Sequence, residues 1–363
     1  MRSPETLAQW TAQILPSAGC TSGTSAARRA GCQLLRALLL GYTTCLSQLA
    51  RQLARRGSAK QRRQYLSRWL QHPAWDPEQI QTRLGRCTRR LLHHLVRRGD
   101  VLLLIDATDL SNGWLVLQAS VAWQHRALPL YRAVTQYADP DETLPELLGR
   151  TLAWLGKHLP GPRRRYVLVL DRGFPSHPLV EKLHHTGWRY VMRIKGNWKL
   201  HHPQFTGWVR DLPATLPVGA TPQLLRGGWW GQPQAGRNCR ASLVAYQGAG
   251  HREPWYLLTS EGCAARAVAI YRQRMQIEQE FRDLKGPDGL DHLATWTQKE
   301  RVARMLAWIA VYEWRLAYLW LVHHLGTRAR DYQVGGKLSW MTVTQEWLRA
   351  QLRSAVPRLD ECL

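Results

Sequence analysis

The stretch "DVLLLIDATDL", Asp100 to Leu110, is an unbroken apolar run that ends in a carboxylate, Asp106, with a second acid, Asp109, three residues on. A run of Val, Leu and Ile with no polar alternation fits a strand buried on both faces. The same form returns in "RRRYVLVLDRGF", Arg163 to Phe174, where the apolar run closes on Asp171 at a glycine turn. A charge at the end of a buried strand costs several kcal/mol unless something cationic neutralises it. One such acid has an ordinary reading as a helix cap or an arginine partner. Two of them on neighbouring strands repel one another and call for a cation.

Outward from these strands the chain alternates. "GWLVLQASVAW" and "ALPLYRAVTQ", separated by "QHR", read as two more strands of a meander, "DETLPELLGRTLAWLGKHL" as a helix, "HPLVEKLHHTG" as a short helix and "WRYVMRIKG" as a strand. Three strands, helix, strand, helix, strand is an α/β order that matches a ribonuclease H-like core, in which the first and fourth strands lie side by side and their ends meet. Residues 197–254 depart from it. They are rich in Gly, Pro and Trp, with "GGWWGQPQAG" at their centre and strand-like pieces such as "RASLVAYQ", and read as a β-rich insertion. The predicted divisions are 1–97, an all-α DNA-binding domain; 98–196, the first part of the core; 197–254, the insertion; 255–325, the second part of the core; and 326–363, a helical tail.

"YRQRMQIEQEFRDLK", Tyr271 to Lys285, carries the third acid. At about 100° per residue, Arg274, Glu278 and Lys285 fall at roughly 300°, 340° and 320° from Tyr271. Glu278 is thus the acid flanked by cations and a phenol along one stripe, while Glu280 falls on the opposite side and Asp283 off the stripe. The plain reading is a salt-bridged helix face, which the Arg274 and Glu278 spacing supports unaided. The other reading joins Glu278 to Asp106 and Asp171 as hard oxygen ligands for Mg²⁺ or Mn²⁺. Two such ions about 4 Å apart activate a nucleophile and stabilise the leaving oxygen of a phosphodiester. Arg274 and Lys285 would then hold phosphates beside them. Asp109 is the rival to Asp106, although on an extended chain it points to a different face.

Charge agrees with a polyanion partner. The 363 residues carry 50 Lys and Arg against 26 Asp and Glu, a net +24. Residues 1–100 hold 17 of those cations and only four acids. Within them "TTCLSQLARQL", "ARRGS" and "AKQRRQYLSRWL" read as helix, turn, helix. In the last of these Tyr65, Leu66, Trp69 and Leu70 form an apolar face, and Lys60, Arg63 and Arg68 point elsewhere, as in a helix-turn-helix with a basic reading helix. Seven scattered cysteines without a C-x-x-C pair indicate neither a disulfide framework nor a zinc site. "MLAWIAVYEWRLAYLWLV", Met305 to Val322, is broken by Glu313 and Arg315 and reads as a buried core helix rather than a membrane span. The N-terminus lacks a secretory pattern, so the expected location is cytoplasmic. Arg193 and Lys195 flank Ile194 at a strand end and serve either phosphate or solvent; Arg172, after the second Asp, is either structural or phosphate-facing. His184, His185, His201 and His202 read as surface or loop histidines.

The spacing Y-x₂-R-x₃-E-x₆-K at Tyr271, Arg274, Glu278 and Lys285 resembles the signature of the insertion-sequence-four family of DDE transposases. "LLLIDATDL", "RALPLYRAV", "VLDRGF", "MRIKG" and "WYLLTSE" resemble that family's strand blocks in the same order, over roughly residues 98–325. The resemblance implies a metal-binding catalytic triad of Asp106, Asp171 and Glu278, with Tyr271, Arg274 and Lys285 as accessory DNA-contacting residues. It implies a base-stacking role for Trp255, whose ordinary alternative is packing against the sheet. It also implies two Mg²⁺ or Mn²⁺ ions, transposon-end and target DNA as partners, a homodimer in the DNA complex, no membrane, and a bacterial-type, nucleoid-associated protein. The activity implied is cut-and-paste transposition: binding of terminal inverted repeats, phosphodiester hydrolysis, and joining of 3′-OH ends to target DNA. The competing reading is a non-catalytic DNA-binding protein or repressor derived from such an enzyme.

Overall fold

The computed structural model describes residues 25–53, 55–110, 113–137, 142–215, 221–232, 237–249, 251–286, 289–322 and 340–355. Among the described residues four α-helices come first: α1 (Ser25–Leu40), α2 (Leu46–Arg51), α3 (Ala59–Gln71) and α4 (Pro77–Arg98). The start of α3 is set by Ser58, whose hydroxyl accepts from the Gln61 amide while the Gln61 side chain accepts from the Ser58 amide. Asp76 caps α4 and Pro77 occupies its first turn.

A meander follows, β1 (Val101–Leu110), β2 (Trp114–Trp123) and β3 (Arg126–Gln136), then α5 (Leu144–His158), β4 (Tyr166–Leu170), α6 (His177–Thr186) and β5 (Arg189–Arg193). As the sequence order implies, β1 pairs in parallel with β4 and antiparallel with β2. The strands β6 (Lys199–His202), β7 (Phe205–Trp208), β8 (Gln223–Gln232) and β9 (Arg237–Tyr246) belong to the segment read as an insertion, and β10 (Trp255–Thr259) returns from it. They extend the same sheet, in the order β3-β2-β1-β4-β5-β10-β9-β8-β6-β7. The longer helices that follow among the described residues are α7 (Ala264–Arg272), α8 (Met275–Leu284), α9 (Lys299–Val322) and α10 (Trp340–Ala355).

Register shows what covers each face of the meander. Asp106 lies opposite Gln118, and Gln118 opposite Arg132, so these three side chains share a face. Glu280 of α8 bonds Gln118 and Arg132 there, and Arg132 also reaches the Leu306 carbonyl of α9. Tyr131, one residue on and therefore on the other face, stacks on Trp154 of α5 with centroids 5.0 Å apart. The N-terminal helices close on α9: Trp69, Trp75 and Trp308 form a ladder with centroid spacings of 5.7 and 5.1 Å. Arg304 of α9 donates to the Trp75 and Leu70 carbonyls, each at 3.0 Å. Gly31 of α1 is required by the same contact, because a Cβ there would run into the Trp308 ring. The apolar segment Met305–Val322 is α9, and no helix among the described residues is long and apolar enough to cross a membrane.

Candidate active site

Three acids from distant parts of the chain meet where the parallel ladder between β1 and β4 stops, partway along β1. Ile105 pairs with Leu170 as the last pair of the parallel ladder, so the next positions are Asp106, still within β1, and Asp171, just past the end of β4. The helical segment that brings Glu278 is not the single helix expected from the sequence. Between α7 and α8, Gln273 and Arg274 keep right-handed angles but bond three residues back, with the Arg274 amide 3.0 Å from the Tyr271 carbonyl and the Ile277 amide 3.1 Å from that of Arg274. This tightened turn puts Arg274 at the head of α8. Lys285 ends α8 in an extended conformation, so the stripe counted from Tyr271 does not continue to it as helix.

Arg274 is the centre of the site. One guanidinium nitrogen, Nη1, lies 2.8 Å from Asp106 Oδ2; the other, Nη2, lies 3.4 Å from Asp171 Oδ2 and also bonds Glu278 Oε1. Tyr271 donates its hydroxyl to the second oxygen of Asp171 at 2.9 Å, and the Ala107 amide donates to Asp106 Oδ1 at 2.9 Å. Side-chain exposure rises from 15% at Asp106 to 26% at Asp171 and 33% at Glu278, which makes Glu278 the rim of the cluster and Asp106 its floor. Burial pushes the Asp106 carboxyl above its ordinary range, and Arg274 opposes the rise. Burial alone would weaken Arg274 as a base, but Asp106 and Asp171 outweigh it and hold the guanidinium firmly charged. Burial, then Asp171, raises the Tyr271 phenol, keeping it a donor.

Trp255 borders the cluster, edge-on to Tyr271 with centroids 5.0 Å apart. The His251 ring lies over it at 4.3 Å and 26°, and its Nδ1 is buried with no hydrogen-bond partner among the described residues. Arg193 closes β5 and pairs with Glu253 at 3.3 Å, as does Arg172 at 3.7 Å. Lys195 is exposed just beyond. Lys285 is exposed, with Nζ 3.5 Å from the Asp109 carbonyl. Asp109 accepts from the Tyr137 hydroxyl and is itself exposed. Lys60, Arg63 and Arg68 are exposed on α3 and are not among the contacts of the Arg274 cluster. No group of three or more His, Cys, Asp or Glu among the described residues is arranged as a ready-made metal cluster. His184 bonds the Tyr190 hydroxyl at 2.9 Å instead.

The transposase DDE domain family matches residues 97–314, more than half of the chain and the span that contains all three acids. The chain belongs to the transposase DDE domain family. No curated protein matches it. Among solved structures, the cryo-EM structure of a piggyBac transposase synaptic complex with hairpin DNA is similar at 12% identity with a TM-score of 0.39, and the match covers 82% of this chain and 64% of that one.

The chain also holds a buried polar cluster that the sequence does not announce. Glu280, which helical phase turns away from Glu278, is fully buried rather than solvated. It accepts from Gln118 at 2.8 Å and pairs with Arg132 at 3.1 Å, and Arg132 pairs with Glu313 at 2.7 Å. The signal available was Arg132 itself, a charge in the middle of an apolar strand, which must find a partner.

Proposed function

We propose that the protein is a cut-and-paste transposase of the insertion-sequence-four type, with a ribonuclease H-like core whose catalytic residues are Asp106, Asp171 and Glu278. The observation that carries this reading is the convergence of those three carboxylates on one cation, the Arg274 guanidinium. All three offer carboxylate oxygens, and oxygen donors alone fit Mg²⁺ or Mn²⁺. Divalent ions held there would supply the charge that activates water or a 3′-OH and stabilises the leaving oxygen.

The chain's own groups do the rest. Lys285 at the rim and Arg274 at the centre hold DNA phosphates, and Tyr271, bonded to Asp171, fixes the orientation of that carboxylate. Arg193 and Lys195 at the end of β5 extend the phosphate contacts. Trp255 takes an unstacked base at the DNA end. The exposed cations of α3, Lys60, Arg63 and Arg68, bind the terminal inverted repeat, and two copies bring two ends together. The 3′-OH freed by hydrolysis attacks target DNA directly, with no protein–DNA covalent intermediate.

The test is cleavage of DNA carrying the element's ends with Mg²⁺ or Mn²⁺. Wild type is expected to nick the ends, and Glu278→Gln to bind the DNA and leave it uncut. Sequence-specific binding by the wild type with no cleavage under either ion would replace this reading with that of a non-catalytic DNA-binding protein.

A further inference from the structure

Arg274 is less exposed, at 13%, than any of the carboxylates it bonds. It bonds one oxygen of each: Asp106 Oδ2, Asp171 Oδ2 and Glu278 Oε1. Three negative charges, one within β1, one just past β4 and one in the first turn of α8, repel one another, and this guanidinium is the cation that holds them together. It cannot leave by losing a proton, since a guanidinium stays charged under all ordinary conditions and here its carboxylate partners reinforce the charge. It leaves only by moving.

The oxygens that bond the guanidinium are the ones a divalent ion would need at about 2.0–2.6 Å. The two cations therefore compete. A displaced guanidinium would be a desolvated charge without a partner, which is costly unless an anion receives it. A DNA phosphate is such an anion, and its oxygens match the planar fork of an arginine bidentately. The open side of the cluster is where Glu278 and the exposed Lys285 stand, so an arriving phosphate meets Lys285 first, and Arg274, bonded to Glu278 just behind the rim, is the guanidinium it can draw out.

We propose that Arg274 is an exchangeable counter-ion that couples metal binding to DNA binding: its guanidinium occupies the three carboxylates until a DNA phosphate draws it away. This rests on the metal reading of Asp106, Asp171 and Glu278, and adds that the free protein binds divalent ions weakly. By linkage, DNA tightens metal binding by the same factor as metal tightens DNA binding. The consequence is a nuclease centre assembled on DNA rather than in advance of it.

The experiment is a calorimetric titration of the full chain with Mn²⁺, with and without a mixed-sequence duplex oligonucleotide, alongside thermal melting. Wild type is expected to bind Mn²⁺ about tenfold or more tightly when the duplex is present. Arg274→Met is expected to bind Mn²⁺ without duplex about as tightly as wild type does with it, to gain nothing from the duplex, and to show a larger rise in Tm on adding Mn²⁺. Arg274→Lys, which keeps the charge but loses the fork, is expected to fall between the two, and decides the matter if Arg274→Met does not fold. Adding Glu278→Gln to Arg274→Met should remove the Mn²⁺ binding. Equal Mn²⁺ affinity in wild type and the Arg274 variants, with the same response to duplex, overturns the coupling and leaves the metal reading intact. Mn²⁺ binding that survives both Asp106→Asn and Glu278→Gln overturns the metal reading and the coupling with it.

Discussion

Arg132 reaches Glu280 across 3.1 Å of solvent-free interior, joining the middle of β3 to the underside of the helix that presents Glu278 at the site. Glu313 of α9 takes the same guanidinium at 2.7 Å, so two fully buried carboxylates share one cation. Breaking a buried pair by deleting one partner leaves an uncompensated charge and costs on the order of 3–5 kcal/mol. Arg132→Met is therefore expected to lose about that much stability in urea unfolding. Glu280→Gln, which leaves the Arg132–Glu313 pair and an amide oxygen for Gln118, is expected to cost far less. An Arg132→Met protein as stable as wild type would show that the cluster does not hold the helix to the sheet.

The same cluster sets a pH dependence. Burial, and then the neighbouring Glu313, pushes the Glu280 carboxyl well above the ordinary range, and burial raises Glu313 despite Arg132. A carboxyl with a raised folded pKa binds more protons folded than unfolded. Its stabilisation is fully present below the unfolded value, about 4.3 for Glu, and is lost as pH rises through the folded one. The Tm of wild type is expected to fall as pH rises from the ordinary carboxylate range, and that of Glu280→Gln to fall less. Parallel curves for the two proteins would mean that Glu280 is not the protonated member of the pair.

Tyr271 and Asp171 are 100 residues apart in sequence and 2.9 Å apart in space. A net hydrogen bond of about 0.5–1.5 kcal/mol corresponds to a change of roughly twofold to tenfold. Tyr271→Phe keeps the ring against Trp255 and removes only that bond, so end cleavage is expected to slow by about that factor with DNA affinity unchanged. A loss as complete as that of Glu278→Gln would give Tyr271 a direct part in the chemistry.

Trp255 is half-buried, edge-on to Tyr271 and under His251. Unstacking one base costs a few kcal/mol, and an aromatic face returns about 1–3 kcal/mol by stacking on it. Trp255→Ala is expected to fold and to nick the first strand, but to slow processing of the second, with partial rescue by an abasic nucleotide placed at the DNA end. Equal loss of both steps without rescue would leave Trp255 as a packing residue between Tyr246, His251 and Tyr271.

For recognition, each Lys or Arg on a phosphate contributes about 0.9 to the slope of log affinity against log salt. Replacing Lys60, Arg63 and Arg68 singly with Ala is expected to reduce that slope by about one contact each in filter-binding or fluorescence titrations. An unchanged slope for all three would remove α3 from the DNA interface.

What could be read from the sequence was local or periodic. An apolar run ending in an acid marks a buried strand, and β4 stops at Leu170 just before Asp171, but β1 runs past Asp106 to Leu110 in its pairing with β2, so there the acid marks only where the parallel ladder with β4 stops. The i,i+4 spacing of Arg274 and Glu278 is likewise intrinsic to a helix, and the pair forms. Tertiary structure alone decided the rest. That Arg274 also takes Asp106 and Asp171 depends on a turn between α7 and α8 and on contacts spanning up to 168 residues, for which no local pattern exists. Phase correctly separated Glu278 from Glu280, but it could not say which side faced water. An acid is ordinarily on the wet side; here Arg132, on a strand nearly 150 residues earlier, lies beneath Glu280 and makes the opposite side the interior.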